Sequence, residues 1–283
     1  MATAVLLLSC PDRSGIVHAV AEFVLTVGGN ILHAEQHVDH EVGIFFQRVE
    51  FDFDEDRTSR AQLRVTFGQV ERRFGMDVSL RFADERPRIA LLASRQAHCL
   101  ADLLGRWRSG ELPAEVVIVV SNHEEHAALA DFSRVPFSHM PITPENRSDQ
   151  ERRLVGLLRG HEVETVVLAR YMQVLGEAAL GAYPSRIINI HHSFLPAFVG
   201  AKPYQQAQQR GVKLIGATAH YATAELDEGP IIAQDVVAVS HRDSVADLVR
   251  KGRDLETVVL ARAVRAHVEH RTLVFGNKTI VFG

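Results

Sequence analysis

Apolar residues in the first eighty positions alternate between strand-like runs and helical spacing. Ala4-Val5-Leu6-Leu7-Leu8 is continuously apolar and reads as a strand. Residues 14–27 then place Ile16, Val17, Val20, Phe23, Val24 and Val27 on one helical face. Two further strands are predicted over 30–40 and 43–53, joined by a tight turn. Residues 59–74 carry a second amphipathic pattern, and 76–82 a last strand. The order is βαββαβ, a ferredoxin-like arrangement.

Asp84-Glu85-Arg86-Pro87-Arg88 interrupts this rhythm with charge and a proline, and reads as a linker. It divides the chain into expected domains at 1–84 and 85–283. Beyond it, strands are predicted at 89–94, 115–121, 164–169, 187–191 and 214–221, mostly alternating with helical stretches. Several are apolar throughout, as in a parallel sheet covered on both faces. The expected fold class is therefore α/β, with a ferredoxin-like domain followed by a doubly wound, mostly parallel sheet. One more strand over 231–239, a closing helix over 244–269 and a hairpin turning at Gly276-Asn277 complete the chain. There is no internal repeat.

Composition narrows the function. The 283 residues are 46% apolar and 23% charged, ordinary for a globular protein, and suffice for two domains. A formal charge of −4 argues against nucleic acid as a partner. No apolar run reaches the roughly 20 residues that span a bilayer, and Ala2 to Leu8 lacks the basic flank of a signal peptide. A cytoplasmic protein without membrane partners is expected. Cys10 and Cys99 have no metal-type spacing and are expected as reduced thiols.

Pro11-Asp12-Arg13-Ser14-Gly15-Ile16 joins the first strand to the first helix, where Asp12 or Ser14 can cap. Gly28-Gly29-Asn30 ends that helix with residues tolerant of left-handed geometry. Turn chemistry alone accounts for these residues. Together, over about 4–82, they also resemble the ACT domain, with its Asp-Arg-x-Gly start and Gly-Gly-Asn turn. That resemblance implies a regulatory or oligomerising domain, an amino-acid effector, a homo-oligomer, and contacts at Asp12, Gly15, Gly29 and Asn30.

The richest segment is Asn189-Ile190-His191-His192-Ser193-Phe194-Leu195-Pro196. Strand alternation puts Asn189 and His191 on one face and His192 on the other. Pro196 and Gly200 end regular structure, leaving the pair at the C-terminal edge, where open α/β sheets bind ligands. Gly216-Ala217-Thr218-Ala219-His220-Tyr221 is a second strand, followed by the acidic loop Glu225-Leu226-Asp227-Glu228-Gly229-Pro230. Loop acids are usually solvated, although one such carboxylate can serve as a base. A metal site from His191, His192 and His220 is disfavoured, because adjacent strand residues point apart. Ser193 lacks a nucleophile elbow. The Ser94-Arg95-Gln96-Ala97-His98-Cys99 loop has no glycine and matches no phosphate-binding fingerprint.

These segments resemble the formyltransferase fold family, which uses 10-formyltetrahydrofolate. Its pattern is Asn-x-His, Ser-x-Leu-Pro-x-Phe-x-Gly, Gly-x-Thr-x-His and Asp-x-Gly-Pro. Here those positions are Asn189 and His191, Ser193 to Gly200, Gly216 to His220, and Asp227 to Pro230. The likeness covers about 86–283 and implies Asn189, His191 and Asp227 as catalytic residues. It also implies substrate contacts from Arg170, Tyr171, Met172, Gln173, Val174 and Leu175, with His220 and Glu225 nearby. His220 either tunes Asp227 or is a satisfied core histidine. The substrate is itself the folate, so no separate cofactor and no metal is implied.

An ACT-like domain ahead of such a domain resembles the formyltetrahydrofolate deformylase branch. Lys202-Pro203-Tyr204 and Thr143-Pro144-Glu145-Asn146 fit that branch, while Gln206 stands where relatives commonly carry a second histidine. The glycine-free loop agrees with water as acceptor. The implied activity is hydrolysis to formate and tetrahydrofolate, supplying formate for purine synthesis. A formyltransferase to a small acceptor and a non-catalytic folate or amino-acid binder are the alternatives.

Overall fold

A computed structural model of the chain describes residues 1–197 and 203–283. Residues 198–202, among them the Gly200 and Lys202 named above, lie outside the described residues. Contacts group the chain into two units, 1–86 with 269–273 and 280–283, and 87–268 with 274–279.

The first unit holds strands β1 (Ala2–Pro11), β2 (Asn30–Asp39), β3 (Ile44–Phe53) and β4 (Asp77–Phe82), with helices α1 (Ile16–Thr26) and α2 (Arg60–Phe74). The antiparallel sheet has the order β2-β3-β1-β4, the expected ferredoxin-like topology. Alternation on β3 sends Phe45, Val49, Phe51 and Phe53 into a core shared with Ile16, Val20 and Phe23 of α1 and Leu63 and Phe67 of α2. One local expectation fails. Neither Asp12 nor Ser14 caps α1, which starts from Gly15 at φ 92 without a side-chain cap. Instead the Asp12 N–H donates to Gly43 O at 2.8 Å, tying the loop to the β2–β3 turn. Gly29 is set by packing: a Cβ there would stand 2.5 Å from Asp52 O.

The second unit contains β5 (Arg88–Ala93), α3 (His98–Arg108), β6 (Glu115–Ser121), α4 (Ala127–Phe132), β7 (Phe137–His139), α5 (Arg147–Gly160), β8 (Thr165–Leu168), α6 (Glu177–Ala182), β9 (Ile187–His191), α7 (Pro203–Gln209), β10 (Leu214–Tyr221), β11 (Ile231–Ala238) and α8 (Val245–Val268). Its sheet runs β11-β10-β9-β8-β5-β6-β7, parallel from β9 to β7, with β10 and β11 antiparallel at one edge. The apolar runs have two-sided burial. Ile89, Leu91 and Ala93 pack with α3 and α8, and Ala90 and Leu92 pack with α5. The three-residue β7 was not predicted; it is too short to show a period. The closing hairpin pairs β12 (Thr272–Phe275) with β13 (Lys278–Val281) across Gly276. Both cysteines are free and buried. No described helix is long and apolar enough to cross a membrane.

Candidate active site

The site forms where β9 and β10 run side by side. Their register sets Asn189 opposite His220, and His191 opposite Thr218. Period-two geometry then brings Asn189, His191, Thr218 and His220 to one face of two adjacent strands. Each alternate residue of β10 has a task there. Gly216 makes room for Phe194, whose Cβ would lie 2.6 Å from an added Cβ. The Thr218 hydroxyl donates to Ser193 O at 2.9 Å and accepts from Leu195 N–H at 3.0 Å, pinning the chain as it leaves β9. His220, only 2% exposed, brings Nε2 to within 3.2 Å of the Asn189 amide.

Asp227 comes in from the loop after β10. Tyr221 N–H donates to Pro230 O at 2.9 Å, closing the loop at its base. Gly229 is required there, because a Cβ would fall 1.8 Å from Tyr221 O. Asp227 adopts φ 60, left-handed geometry that is uncommon for a side-chain-bearing residue and recurs at active sites. Its Oδ1 lies 3.2 Å from His191 Nδ1 and 3.6 Å from His220 Nε2. Hydrogen bonding from His191 foremost holds the Asp227 carboxyl well below the usual carboxylate range.

Proton positions follow from the partners. A carboxylate only accepts, so His191 carries its proton on Nδ1 toward Asp227. Its Nε2 is buried and without a hydrogen-bond partner among the described residues. Tyr221 O, 3.0 Å from His220 Nδ1, likewise fixes the His220 proton on Nδ1. His220 Nε2 then accepts from the Asn189 amide at 3.2 Å. At 3.6 Å, Asp227 is beyond hydrogen-bond distance of that nitrogen. His220 thus acts on the site by orienting Asn189.

A cavity of about 300 Å³ opens onto this face. Asn189, His191, His220 and Asp227 line it, together with Arg170, Tyr171, Met172, Gln173, Val174 and Leu175. The loop is fixed by Ser94, whose N–H donates to Arg170 O at 3.2 Å and whose hydroxyl accepts from Met172 N–H at 2.9 Å. Arg147 donates to Val174 O at 2.8 Å. Two expectations change. His192 does not face away but borders the same cavity, because β9 ends at His191 and alternation ends with it. Burial and the neighbouring Arg170 and His191 push its imidazole down to about 4, so it is neutral near pH 7. Glu225 is exposed and outside the cavity lining; its carbonyl accepts from the Thr223 hydroxyl at 3.0 Å and the Glu228 N–H at 3.4 Å. In the first unit, Asp12 and Gly15 precede α1, whereas Gly29 and Asn30 follow its eleven residues. A helix of that length spans roughly 16 Å, so these four residues do not converge within one chain.

Residues 87–264 match the formyl transferase family, and residues 4–67 match the ACT domain family. The chain is 54% identical over 280 residues to a formyltetrahydrofolate deformylase of Synechocystis sp., covering 99% of this chain and 98% of that protein. The chain belongs to the formyltetrahydrofolate deformylase family. A relative of the same name from Bacillus subtilis is 49% identical over 278 residues, covering 98% of this chain and 93% of the relative. The fold agrees. A crystal structure of a formyltetrahydrofolate deformylase from Pseudomonas syringae pv. tomato superposes with a TM-score of 0.95 at 47% identity, covering 100% of this chain and 95% of that one.

One group that the sequence reading passed over stands beside the site. Glu256 of α8 is 1% exposed. Its carboxylate meets His98 Nε2 at 2.7 Å, Arg170 Nε at 3.3 Å and the Tyr204 hydroxyl at 2.9 Å. The signal was available: Leu248, Gly252, Glu256 and Leu260 form an i, i+4 stripe that is otherwise apolar or small. His98, Cys99 and Glu256 also have the spacing of a metal set. The Arg170 guanidinium already occupies that carboxylate, and burial beside Glu256 pushes the Cys99 thiol far up, away from the thiolate a metal takes. The cluster is an ion network.

Proposed function

We propose that the chain hydrolyses 10-formyltetrahydrofolate to formate and tetrahydrofolate through Asn189, His191 and Asp227. The observation that carries the mechanism is His191 Nε2, buried and without a hydrogen-bond partner among the described residues, backed by an Asp227 carboxyl held well below its usual range. Its lowered carboxyl makes Asp227 a poor resting place for a proton taken from water. It serves better by fixing the His191 tautomer and stabilising the imidazolium that forms when Nε2 takes the proton.

Water attacks the formyl carbon as its proton passes to His191 Nε2. The carbonyl oxygen becomes an oxyanion, toward which Asn189 offers its second amide N–H, the first being held by His220. Collapse breaks the bond between carbon and N10, and the imidazolium returns its proton to that nitrogen. Formic acid and tetrahydrofolate leave, the acid giving its proton to solvent to become formate. The Arg170 to Leu175 loop supplies backbone groups and apolar side chains against the pterin. Incubating the purified chain with 10-formyltetrahydrofolate and no acceptor tests this: formate and tetrahydrofolate should appear in equal amounts, and their absence refutes it.

The released formate would feed purine synthesis and balance one-carbon folate pools. The proposal extends to a cytoplasmic homo-oligomer whose first unit takes an amino-acid effector at Asp12, Gly15, Gly29 and Asn30. The match to the ACT domain family supports an effector. The placement of those residues at opposite ends of α1 favours a site completed by a second copy.

A further inference from the structure

In a doubly wound sheet the general ligand crevice lies at the C-terminal edge, where successive strands depart in opposite directions. Here that switch point lies between β5, which leads outward to β6 and β7, and β8, which leads to β9. Among the described residues, packed side chains lie across that crevice. Ala169 N–H donates to Leu92 O at 2.8 Å, continuing the β5–β8 ladder, and Ser94 N–H donates to Arg170 O at 3.2 Å just beyond it. Over that seam Arg170 Nε lies 3.3 Å from Gln96 Oε1 and 3.3 Å from the Glu256 carboxylate. His98 closes on the same carboxylate from α3, and Tyr204 from α7. Gly252 provides the notch for Tyr204, whose hydroxyl would stand 1.9 Å from an added Cβ. Arg170 and His192 are at once part of this packing and the wall of the cavity beside Asn189, His191 and Asp227.

We propose that the His98–Glu256–Arg170 network, built on the buried Glu256 carboxylate and flanked by Gln96 and Tyr204, is the specificity element that confines the nucleophile to water by filling the crevice a larger acceptor would need. A buried ion set of this kind is weak evidence for stability, since apolar packing would serve as well or better. Its composition is better explained by what it excludes. The proposal rests on the hydrolase reading.

If the crevice were opened, an amine could replace water. Its nitrogen would bond to the formyl carbon, the bond to N10 would break, and the amine proton would pass to N10. The test offers the full-length protein 10-formyltetrahydrofolate together with semicarbazide, a primary amine that is nucleophilic at neutral pH. Formate and formylsemicarbazide are both quantified. The unaltered protein should release formate, with formylsemicarbazide no higher than in the enzyme-free control. His98→Gly should raise the formylsemicarbazide-to-formate ratio at least tenfold, and added imidazole, by refilling the hole, should bring it back down. Gln96→Gly, a change in a half-exposed loop, should raise the ratio at least threefold and covers the case in which His98→Gly does not fold. An unchanged ratio in folded variants that still release formate overturns the proposal, as does appreciable amine transfer by the unaltered protein. Absence of formate from the unaltered protein would instead overturn the hydrolase reading.

Discussion

Asp227 combines three properties rarely found together in one loop residue: left-handed backbone, two imidazole neighbours and a carboxyl held far below its usual range. Asp227→Asn keeps the shape but removes the charge that fixes the His191 tautomer. Turnover should fall by on the order of 10²–10⁴, the usual worth of positioned acid–base catalysis, while the thermal melt stays within a few degrees. Near-normal turnover would remove Asp227 from the mechanism. His220 acts through Asn189, so His220→Ala should lower kcat by about tenfold or more with little change in KM, because one oxyanion donor is worth roughly 3 kcal/mol when fully lost. His220→Gln, which can still accept from the Asn189 amide, should recover part of the loss. An effect confined to KM would contradict that role.

Much of this centre was legible in single residues. The i, i+2 spacing of Asn189 and His191 needs only strand geometry to put them on one face. His192 was misjudged because the rule was carried one residue past the end of the strand. Glu256, His98 and Tyr204 were passed over for another reason: they lie 158 and 52 residues apart in pairs, and no local pattern relates three elements that meet only in the folded core. A charge on the apolar stripe of α8 was the one clue.

At the scale of elements, the β9–β10 pair is the frame of the site, and its glycines are where the sequence has least freedom. Gly229 faces backbone rather than a movable side chain, with an added Cβ only 1.8 Å from Tyr221 O. Gly229→Ala should therefore displace the Asp227 loop, costing at least tenfold in kcat while the folate cavity, measured by binding of unformylated tetrahydrofolate, weakens only about threefold. Equal losses in both would mean that the loop is not the element disturbed. Strong periodicity made the long elements readable, including α8 and all four strands of the first unit. Missing were the short β7 and the start of α1, where a glycine in left-handed geometry replaced the side-chain cap that Asp12 and Ser14 suggested. Roles such as Thr218 holding Ser193 and Leu195 become visible only once the register of β9 against β10 is known.

At the scale of the molecule, the two units share one sensitivity. His192 in the second unit and His270 in the first are both pushed down to about 4, mainly by burial, from an ordinary value near 6.5. In each case the unfolded chain binds a proton that the folded chain refuses. Stability should therefore be full above pH 6.5 and decline as pH falls from 6.5 toward 4. Urea melts between pH 7.5 and 4.5 should show this, and His270→Asn, which suits the positive φ at that position, should make the decline shallower. A decline unchanged in that variant would assign the sensitivity elsewhere.

The division into two units, one matching an ACT domain and one a formyl transferase, makes amino-acid control of folate hydrolysis a question for the whole chain. The most direct measurement is formate release from 10-formyltetrahydrofolate by the purified protein, with no acceptor present, run beside Asp227→Asn. Stoichiometric formate and tetrahydrofolate from the unaltered chain, nearly abolished in the variant, is the predicted result. No formate above background, or equal rates from both proteins, would contradict it.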